Sequence, residues 1–221
     1  MTTEIPEDQL GSWCAELAEL GVATVYEASG RQGLIDVPLT PILPGAQVCG
    51  PALTVLCGQG DNLMVHAAME QVRPGVVLVI TMPEPEPVAL VGELLALQAQ
   101  VRGAAGLLVD AAVRDVDQLR AMKLPVWARF IRVRGATKEK VGALNAPVVI
   151  GGARIEPGDL VVLDDDGAVT VARARVPDVL TAARARAARE HRMREELRRG
   201  ALSYDLHGLR AVVEGQRAAQ G

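Results

Sequence analysis

The chain has 221 residues, enough for one well-buried domain with or without an appended arm, and its formal net charge is −4. Hydrophobic residues make up 49% of the sequence and charged residues 23%, which excludes extensive disorder. Because the charge balance is acidic and aromatic residues are only 2%, we expect no nucleic-acid partner, which would need a basic surface or stacking rings.

Cysteine usage and apolar runs indicate a reduced compartment and no membrane. Cys14, Cys49 and Cys57 are odd in number and lack CxxC spacing, which is typical of small core residues. Residues 1–10 are acidic and polar, unlike a signal peptide. Uninterrupted apolar runs such as residues 76–80 are far shorter than the roughly 20 residues that a membrane-spanning helix needs. We therefore expect a cytoplasmic protein.

Helix and strand patterns alternate through the first two thirds of the chain. Residues 9–20 show helical spacing that ends at Gly21, and residues 46–57 favour a strand. Asp61 is positioned to cap a helix that runs to about Gln71, and residues 76–82 read as a second buried strand.

The middle of the chain continues this alternation after an interruption. Residues 82–90 contain three prolines, so we predict an irregular, stiff loop there. The elements predicted after it are a helix over 92–102, a strand over 105–111, a helix over 115–122, and strands over 125–130 and 146–152. Near-continuous apolar strands that alternate with helices are typical of a layered α/β domain.

The last third changes character. Residues 154–173 predict a β-hairpin with its turn at Asp166–Gly167, and we interpret the aspartates at 164–166 as turn residues rather than a calcium loop. After Pro177 a long charged helix is predicted to about Arg199, followed by a short tail. Its many arginines most simply form a solvated face that pairs with glutamates.

Polar residues flank the predicted helix over 92–102 and the strand that follows it. Gly92 opens the helix, so the free N–H groups of residues 93–95 form a binding site for a carboxylate or phosphate. Arg114 and Asp115 lie just past the carboxyl end of the strand, where open α/β sheets tend to bind ligands. Because consecutive elements are usually neighbours, these groups should converge on one cleft.

This trio could carry metal-assisted chemistry on a 2-oxo acid. Asp115 is a hard oxygen ligand suited to Mg²⁺ or Mn²⁺, and Arg114 could bind a carboxylate or steady an enolate oxygen. Glu93 could orient or deprotonate a metal-bound water. On spacing alone, however, Glu93 fits equally well as a helix-end charge, and Arg114–Asp115 as a surface cap.

A resemblance to a known family favours the first interpretation. Glu93, twenty intervening residues and then Arg114–Asp115 match the fingerprint of the class II pyruvate aldolases that cleave 4-hydroxy-4-methyl-2-oxoglutarate and 4-carboxy-4-hydroxy-2-oxoadipate. These enzymes are related to the regulator of ribonuclease E activity and form with it the RraA-like family. Further similar segments lie at 23–34, 50–55, 60–71, 151–171 and 200–209.

The resemblance implies an α/β fold, namely an α-β-β-α sandwich related to the swivelling phosphohistidine domains, with a long C-terminal helix. It implies homotrimers or homohexamers with active sites at subunit interfaces. Residues 1–176 would form the catalytic domain, and residues 177–221 a C-terminal helix and tail that pack on a neighbouring subunit.

The resemblance also implies roles for individual residues. Asp115 would bind the divalent metal directly, and Arg114 would contact the substrate and stabilise the pyruvate enolate. The backbone at Gly92, Leu94 and Leu95 would hold the substrate carboxylate.

A catalytic water completes this implied site. Glu93 and a glutamate from the C-terminal helix of the adjacent subunit would hold a metal-bound water that acts as base. The final similar segment points to Glu190 for that glutamate, with Glu195 and Glu196 as competitors.

The expected function is a divalent-metal-dependent lyase that releases pyruvate from 4-hydroxy-2-oxo acids and also decarboxylates oxaloacetate. The alternative is a non-catalytic regulator that binds a ribonuclease, although that branch lacks the aspartate that this chain keeps at Asp115. A methyltransferase is not indicated, because no GxGxG loop follows a first strand.

The loop over 82–90 departs from the family and should border the distal end of the substrate. We expect His66 to be a helix histidine, and Asp110 to position Arg114 or a loop.

Overall fold

A computed structural model describes residues 7–218 of the chain. Residues 1–6 and 219–221 lie outside the described part, so most of the polar N-terminal stretch and the last three residues of the predicted tail are not addressed. Within the described residues, no helix has the length and apolarity needed to cross a membrane.

The described residues form eight α-helices, one short 3₁₀ helix and eleven strands. The helices are α1 (Glu7–Leu20), α2 (Val22–Ala28), α3 (Leu63–Ala68), α4 (Glu93–Val101), α5 (Val116–Met122), the 3₁₀ turn Arg173–Arg175, α6 (Val176–Arg198), α7 (Ser203–Leu206) and α8 (Leu209–Ala218). The strands are β1 (Thr40–Pro41), β2 (Val48–Leu56), β3 (Val77–Thr81), β4 (Ala89–Val91), β5 (Gly106–Val113), β6 (Val126–Ile131), β7 (Ala143–Leu144), β8 (Val148–Ile150), β9 (Ala153–Ile155), β10 (Leu160–Asp164) and β11 (Gly167–Val171).

The main sheet has the order β1-β6-β5-β3-β2-β10-β11, with β4 added to β5 and β7 to β2. The four central strands β2, β3, β5 and β6 run parallel, because α3, α4 and α5 carry the chain back between them. The strands β1 and β10 pair antiparallel with the two ends of this parallel core, and β10 pairs in turn with β11. The strands β8 and β9 form a separate hairpin.

Three apolar clusters separate the layers. Along β3, Leu78 and Ile80 point towards α3, α4 and α5, whereas Val77 and Val79 point into a middle cluster shared with the β8–β9 hairpin and β10. The third cluster packs α1, α2 and α6 against β10, β11 and the start of β2. The layers are therefore α3 to α5, the parallel part of the main sheet, its β10–β11 end together with the β8–β9 hairpin, and the helices α1, α2 and α6. This is the α-β-β-α sandwich that the resemblance predicted.

Most of the predicted elements are confirmed, and the differences are local. The chain does end its first helix at Gly21, whose φ is +80°, but it then begins the unpredicted helix α2. The predicted irregular loop over 82–90 is wrong at its end, since β4 begins at Ala89. The hairpin turn lies at residues 165–166, one position earlier than predicted, and the short tail contains α7 and α8.

The interpretation of the aspartates at 164–166 as residues of a hairpin turn is confirmed, and two of them also accept backbone hydrogen bonds from other segments. Asp164 accepts from the amide of Val22 at 2.8 Å, and Asp165 accepts from the amide of Gly45 at 3.0 Å. The three cysteines are buried, and burial raises the pKa of Cys57 to about 12. They are core residues, as the sequence indicated.

Helix α6 belongs to the domain core only in its first half. Its buried residues are Val176, Val179, Leu180 and Ala183, and no residue from 184 to 198 is buried. The predicted boundary at 176/177 therefore falls at the start of a helix that first packs on the main domain. Beyond it the arginines pair with glutamates on the same helix, as in Arg186–Glu190 at 2.9 Å, which confirms the solvated face.

Candidate active site

A short parallel pairing brings the two halves of the predicted site together. The first half of β5 pairs with β3, and its end pairs with β4, with Ala89 opposite Ala112 and Val91 opposite Val113. The amide of Arg114 continues this ladder by donating to the carbonyl of Val91 at 3.1 Å. Since parallel strands end at the same edge, Gly92 after β4 lies beside Arg114 and Asp115 after β5.

Asp115 caps two helices at once. Its carboxylate Oδ2 accepts the amide N–H of Glu93 at 3.0 Å, at the N-terminus of α4. Its backbone carbonyl accepts the first helical hydrogen bond of α5, from the amide of Leu119 at 3.0 Å. The backbone of Asp115 is left-handed, with φ of 61°, a conformation that Asp and Asn tolerate better than most residues.

Two glycines make room for these side chains. A Cβ on Gly92 would lie 2.5 Å from Oδ2 of Asp115 and 3.2 Å from Nε of Arg114. A Cβ on Gly135 would lie 3.0 Å from Nη1 of Arg114. The guanidinium of Arg114 thus lies between two glycine backbones, and its Nε is 3.7 Å from Oδ2 of Asp115.

The predicted residues line one cleft of about 410 Å³. Its lining includes Gly92, Glu93, Leu94, Leu95, Arg114 and Asp115. The predicted convergence is confirmed as geometry, while the catalytic roles of these residues stay predictions. Within the described part of the chain, no group accepts a hydrogen bond from the amides of Leu94 or Leu95, so this helix end is free to bind an anion.

The cleft also contains residues that sequence reasoning did not select. Asn62, Gln118 and Lys138 line it, and each reaches it from a different part of the chain. The side-chain Nδ2 of Asn62 donates to the carbonyl of Leu90 at 3.0 Å, while the buried side-chain Oδ1 accepts no hydrogen bond from any described group. Lys138 and Arg114 are the cationic side chains among the described lining residues.

His66 is a cleft residue as well as a helix residue. It lies in α3 and lines the cleft. Partial burial, and then the nearby charge of Lys138, lower the pKa of His66 below its ordinary value. Both effects favour the neutral imidazole of His66.

The two neighbours of Lys138 in the sequence bond to a buried carboxylate. Asp61 is fully buried and its Oδ2 accepts from the hydroxyl of Thr137 and the amide of Glu139, both at 2.6 Å. Its Oδ1 accepts the amide of Leu63 at 2.8 Å, which provides the predicted helix cap. Burial opposes the charge of Asp61, but these hydrogen bonds outweigh it and lower the pKa of its carboxyl from 3.8 to about 2.

Of the two roles expected for Asp110, contact with Arg114 is wrong, while the expectation for the loop over 82–90 stays a prediction. Asp110 does not position Arg114: it is buried, and its carboxylate accepts from Nη1 of Arg129 at 2.9 Å and from the hydroxyl of Thr81 at 3.2 Å. Of the loop over 82–90, Ala89 and Leu90 line the cleft and residues 82–88 do not. The proline-rich part therefore does not line the cleft of this chain, and its expected place at the distal end of the substrate stays a prediction.

The glutamates of α6 do not reach the cleft of their own chain. Glu190 pairs with Arg186 and Arg194, while Glu195 and Glu196 pair with Arg198 and Arg199. Helix α6 packs in the layer of α1 and α2, on the far side of the sandwich from α4. The role predicted for Glu190 requires a second copy of the chain, so it stays a prediction.

The donor set fits a hard divalent cation that keeps most of its water. Among the described residues, no three His, Cys, Asp or Glu side chains group closely enough to form a protein cage for a metal. Asp115 nevertheless lines the cleft, its side chain is 40% exposed, and Oδ1 accepts no described hydrogen bond. Mg²⁺ is commonly bound through one or two carboxylates plus water and substrate, which is what this arrangement offers.

Gly92→Ala should displace the carboxylate of Asp115. The φ of Gly92 is −137°, so alanine brings no backbone strain and acts through its contacts with side chains, the tightest of which is with Oδ2 of Asp115 and the others with Arg114. Loss of the cap on Glu93 should lower the free energy of unfolding by about 1 kcal/mol, measured by urea denaturation. As a control, Gly11→Ala in α1 meets nothing within 4 Å and should stabilise by up to about 1 kcal/mol. Equal effects of the two substitutions would contradict this role for Gly92.

Asp61→Asn should lower stability at neutral pH. Because the folded pKa of Asp61 is below its ordinary value, the stabilisation is fully present above about pH 4 and is lost as the pH falls through about 2. The difference in unfolding free energy from the unsubstituted protein should therefore shrink between pH 4 and 2, as followed by urea titrations.

Asp117→Asn provides the control, since the Asp117 side chain is 94% exposed and its substitution should change little at any pH. A difference for Asp61→Asn that stays constant down to pH 2 would contradict the assigned cause.

Comparisons with known proteins agree with this geometry. A family model described as RraA-like, Aldolase/RraA, matches residues 22–170. A Halalkalibacterium halodurans protein named "Putative 4-hydroxy-4-methyl-2-oxoglutarate aldolase" is 33% identical over 87% of this chain and 90% of its own length. A Burkholderia multivorans protein of the same name is 37% identical over 66% of this chain and 88% of its own.

A solved structure extends the likeness to the whole fold. Streptomyces coelicolor RraAS2, described as an unusual member of the RNase ES inhibitor RraA protein family, is 29% identical and superposes with a TM-score of 0.71. The superposition covers 89% of this chain and 98% of that one. The fold, the cleft at the end of β4 and β5, and these matches together show that the chain belongs to the RraA-like family.

Proposed function

We propose that the protein is a divalent-metal-dependent aldolase that cleaves 4-hydroxy-2-oxo acids into pyruvate and a second oxo acid. The single observation that carries the proposal is the placement of Asp115, Arg114 and the open N-terminus of α4 around one cleft. The names of the Halalkalibacterium and Burkholderia relatives support the same reaction.

The helix end would bind the carboxylate of the 2-oxo acid. The amides of Leu94 and Leu95 carry the partial positive charge of the α4 N-terminus and have no acceptor among the described groups. Leu95 is buried and packs into the core, so this end of the helix is rigid. A rigid carboxylate site would place the 2-oxo group next to Arg114 and Asp115.

Arg114 would stabilise the charge that develops when the C3–C4 bond breaks. The proton of the 4-hydroxyl leaves, a carbonyl forms at C4, and the bonding electron pair moves onto the pyruvate fragment as an enolate, which is then protonated at C3. A guanidinium that lies between Gly92 and Gly135 would face the enolate oxygen and stabilise its charge. Mg²⁺ or Mn²⁺ held by Asp115 would supply Lewis-acid polarisation of the 2-oxo group.

Glu93 would help to remove the 4-hydroxyl proton. Its side chain is exposed at the cleft and makes no hydrogen bond to a described group, so it is free to hold a water that acts as base. Glu190 of a neighbouring copy would complete this position, with Glu195 and Glu196 as alternatives, in a homotrimer or homohexamer. Leu94 and Val133, 78% and 89% exposed beside the site, are apolar surface that such a neighbour would cover.

Lys138 would receive the far end of the substrate. Since it is the cleft's second cation, it fits a substrate whose C4 carries a further carboxylate, as in 4-hydroxy-4-methyl-2-oxoglutarate or 4-carboxy-4-hydroxy-2-oxoadipate. Oxaloacetate would be decarboxylated in the same site, because its C3–C4 cleavage leaves the same pyruvate enolate.

A non-catalytic regulator is the second candidate, and the likeness to RraAS2 favours it. A regulator that binds a ribonuclease would need no cation at Asp115 and no guanidinium between two glycines. Binding of a ribonuclease that persists in an inactive Asp115 variant would support this candidate.

Substitution of Arg114 and Asp115 tests the proposed reaction. Pyruvate release from 4-hydroxy-4-methyl-2-oxoglutarate with Mg²⁺ should fall about 10²–10³-fold in Arg114→Ala, because one charge-stabilising donor is lost. Asn at position 115 tolerates the left-handed backbone but removes the charge, so pyruvate release should fall at least as far in Asp115→Asn. EDTA should abolish turnover of the unsubstituted protein. Arg132→Ala, an exposed arginine of the adjacent groove, is the control. Equal rates in all variants would contradict an aldolase.

A further inference from the structure

Asp61 is a buried carboxylate that does not line the cleft, but it bonds to two segments that do, one around Asn62 and one around Lys138. It is fully buried, at the end of the segment that leads from β2 into α3. Its three hydrogen-bond donors are the amide of Leu63, the hydroxyl of Thr137 and the amide of Glu139. One of these donors is on its own segment, and the other two are on a loop more than seventy residues away.

The residues beside these contacts are cleft residues. Asn62 follows Asp61 directly, and Lys138 is the residue between the two donors of the distant loop. Backbone hydrogen bonds continue the junction: the amide of Asn62 donates to the carbonyl of Thr137 at 2.9 Å, and the amide of Thr137 donates to the carbonyl of Gly60 at 3.1 Å. Asp61 therefore joins the two segments that form the far wall of the cleft.

Polar contacts hold the loop that carries Lys138: besides the bonds to Asp61, the backbone of Thr137 pairs with Gly60 and Asn62, and Nζ of Lys140 donates to the carbonyl of Gln59 at 2.7 Å. Residues 137–140 are all exposed, so apolar packing does not fix their position. Hydrogen bonds to an ionised carboxylate are shorter and stronger than neutral ones, and the two to Thr137 and Glu139 bracket Lys138 on both sides. The position of the Lys138 backbone thus depends on Asp61.

We propose that Asp61 is a positioning residue that holds Lys138 beside the Asn62 segment, where its ammonium group can bind the distal carboxylate of the substrate. The proposal rests on the aldolase function proposed above. It separates two parts of the site: Asp115, Arg114 and α4 act on the pyruvate portion, and the Asp61 junction selects what is attached to C4.

The experiment compares a substrate that has a distal carboxylate with a ligand that has none. Asp61→Asn should raise the KM for 4-hydroxy-4-methyl-2-oxoglutarate about tenfold, the loss expected when a charge-assisted contact is misplaced. Exchange of the C3 protons of pyruvate with deuterated water, followed by NMR, needs only the part of the site that binds pyruvate. Its rate in Asp61→Asn should stay within about twofold of the rate of the unsubstituted protein.

Coupling to Lys138 distinguishes positioning from a general loss of stability. In a Lys138→Met background, Asp61→Asn should add no further increase in KM, because the group that it positions is already absent. Thr137→Val removes one of the three hydrogen bonds at an exposed residue and should give a smaller change of the same kind, even if Asp61→Asn folds poorly. Asp159→Asn is the matched control. Asp159 is also a buried carboxylate that accepts from two backbone amides, those of Glu156 and Arg173, but it does not border the cleft.

The results that would overturn the proposal differ from those that would overturn the function. An unchanged KM in Asp61→Asn and Thr137→Val, an equal loss of pyruvate exchange and cleavage, or a full additional effect in the Lys138→Met background would each refute the positioning role. An unsubstituted protein that neither cleaves the substrate nor exchanges the protons of pyruvate would instead refute the aldolase.

Discussion

The site depends on one hydrogen bond, from the amide of Glu93 to the carboxylate of Asp115. It requires the end of β4 to lie beside the end of β5, a glycine at position 92, and a left-handed backbone at Asp115. Each of these features is a local cost or constraint that the sandwich alone would not impose. Together they place a carboxylate at the positive end of a helix, with its second oxygen left for a cation.

The charges of the cleft are arranged in two zones. Near α4, Glu93 and Asp115 line the cleft together with Arg114, whose Nε is 3.7 Å from Oδ2 of Asp115, a set of groups suited to a metal ion and a developing enolate. Beyond them, Lys138 adds positive charge over a wall built by Asn62 and His66. A protein of net charge −4 therefore has two cationic side chains in this cleft, which a net-charge argument alone would not reveal.

Sequence reasoning predicted the part of the site that is continuous along the chain. Helix α4, strand β5 and the pair Arg114–Asp115 follow one another, and their periodicity and spacing are local signals. Strand β4 was missed because three residues after a run of prolines have little strand signal of their own and become a strand only by pairing with β5.

The rest of the wall could not be predicted for the same reason. Lys138 reaches the cleft because its neighbours Thr137 and Glu139 bond to Asp61, more than seventy residues away, and nothing near Lys138 or Asp61 in the sequence indicates the other. Asp110 seemed a plausible partner for Arg114, but the fold buries it beside Arg129, which the sequence separates from it by a helix. The role predicted for Glu190 depends on a second chain, whose position no signal within one chain specifies.

The most direct test of the central claim is a crystal structure obtained with Mn²⁺ and pyruvate, in which anomalous scattering locates the ion. We expect one ion on Asp115, with the pyruvate carboxylate at the amides of Leu94 and Leu95 and its oxo group facing Arg114. An ion found elsewhere, for example at the hairpin aspartates 164–166, with no pyruvate in the cleft, would contradict it.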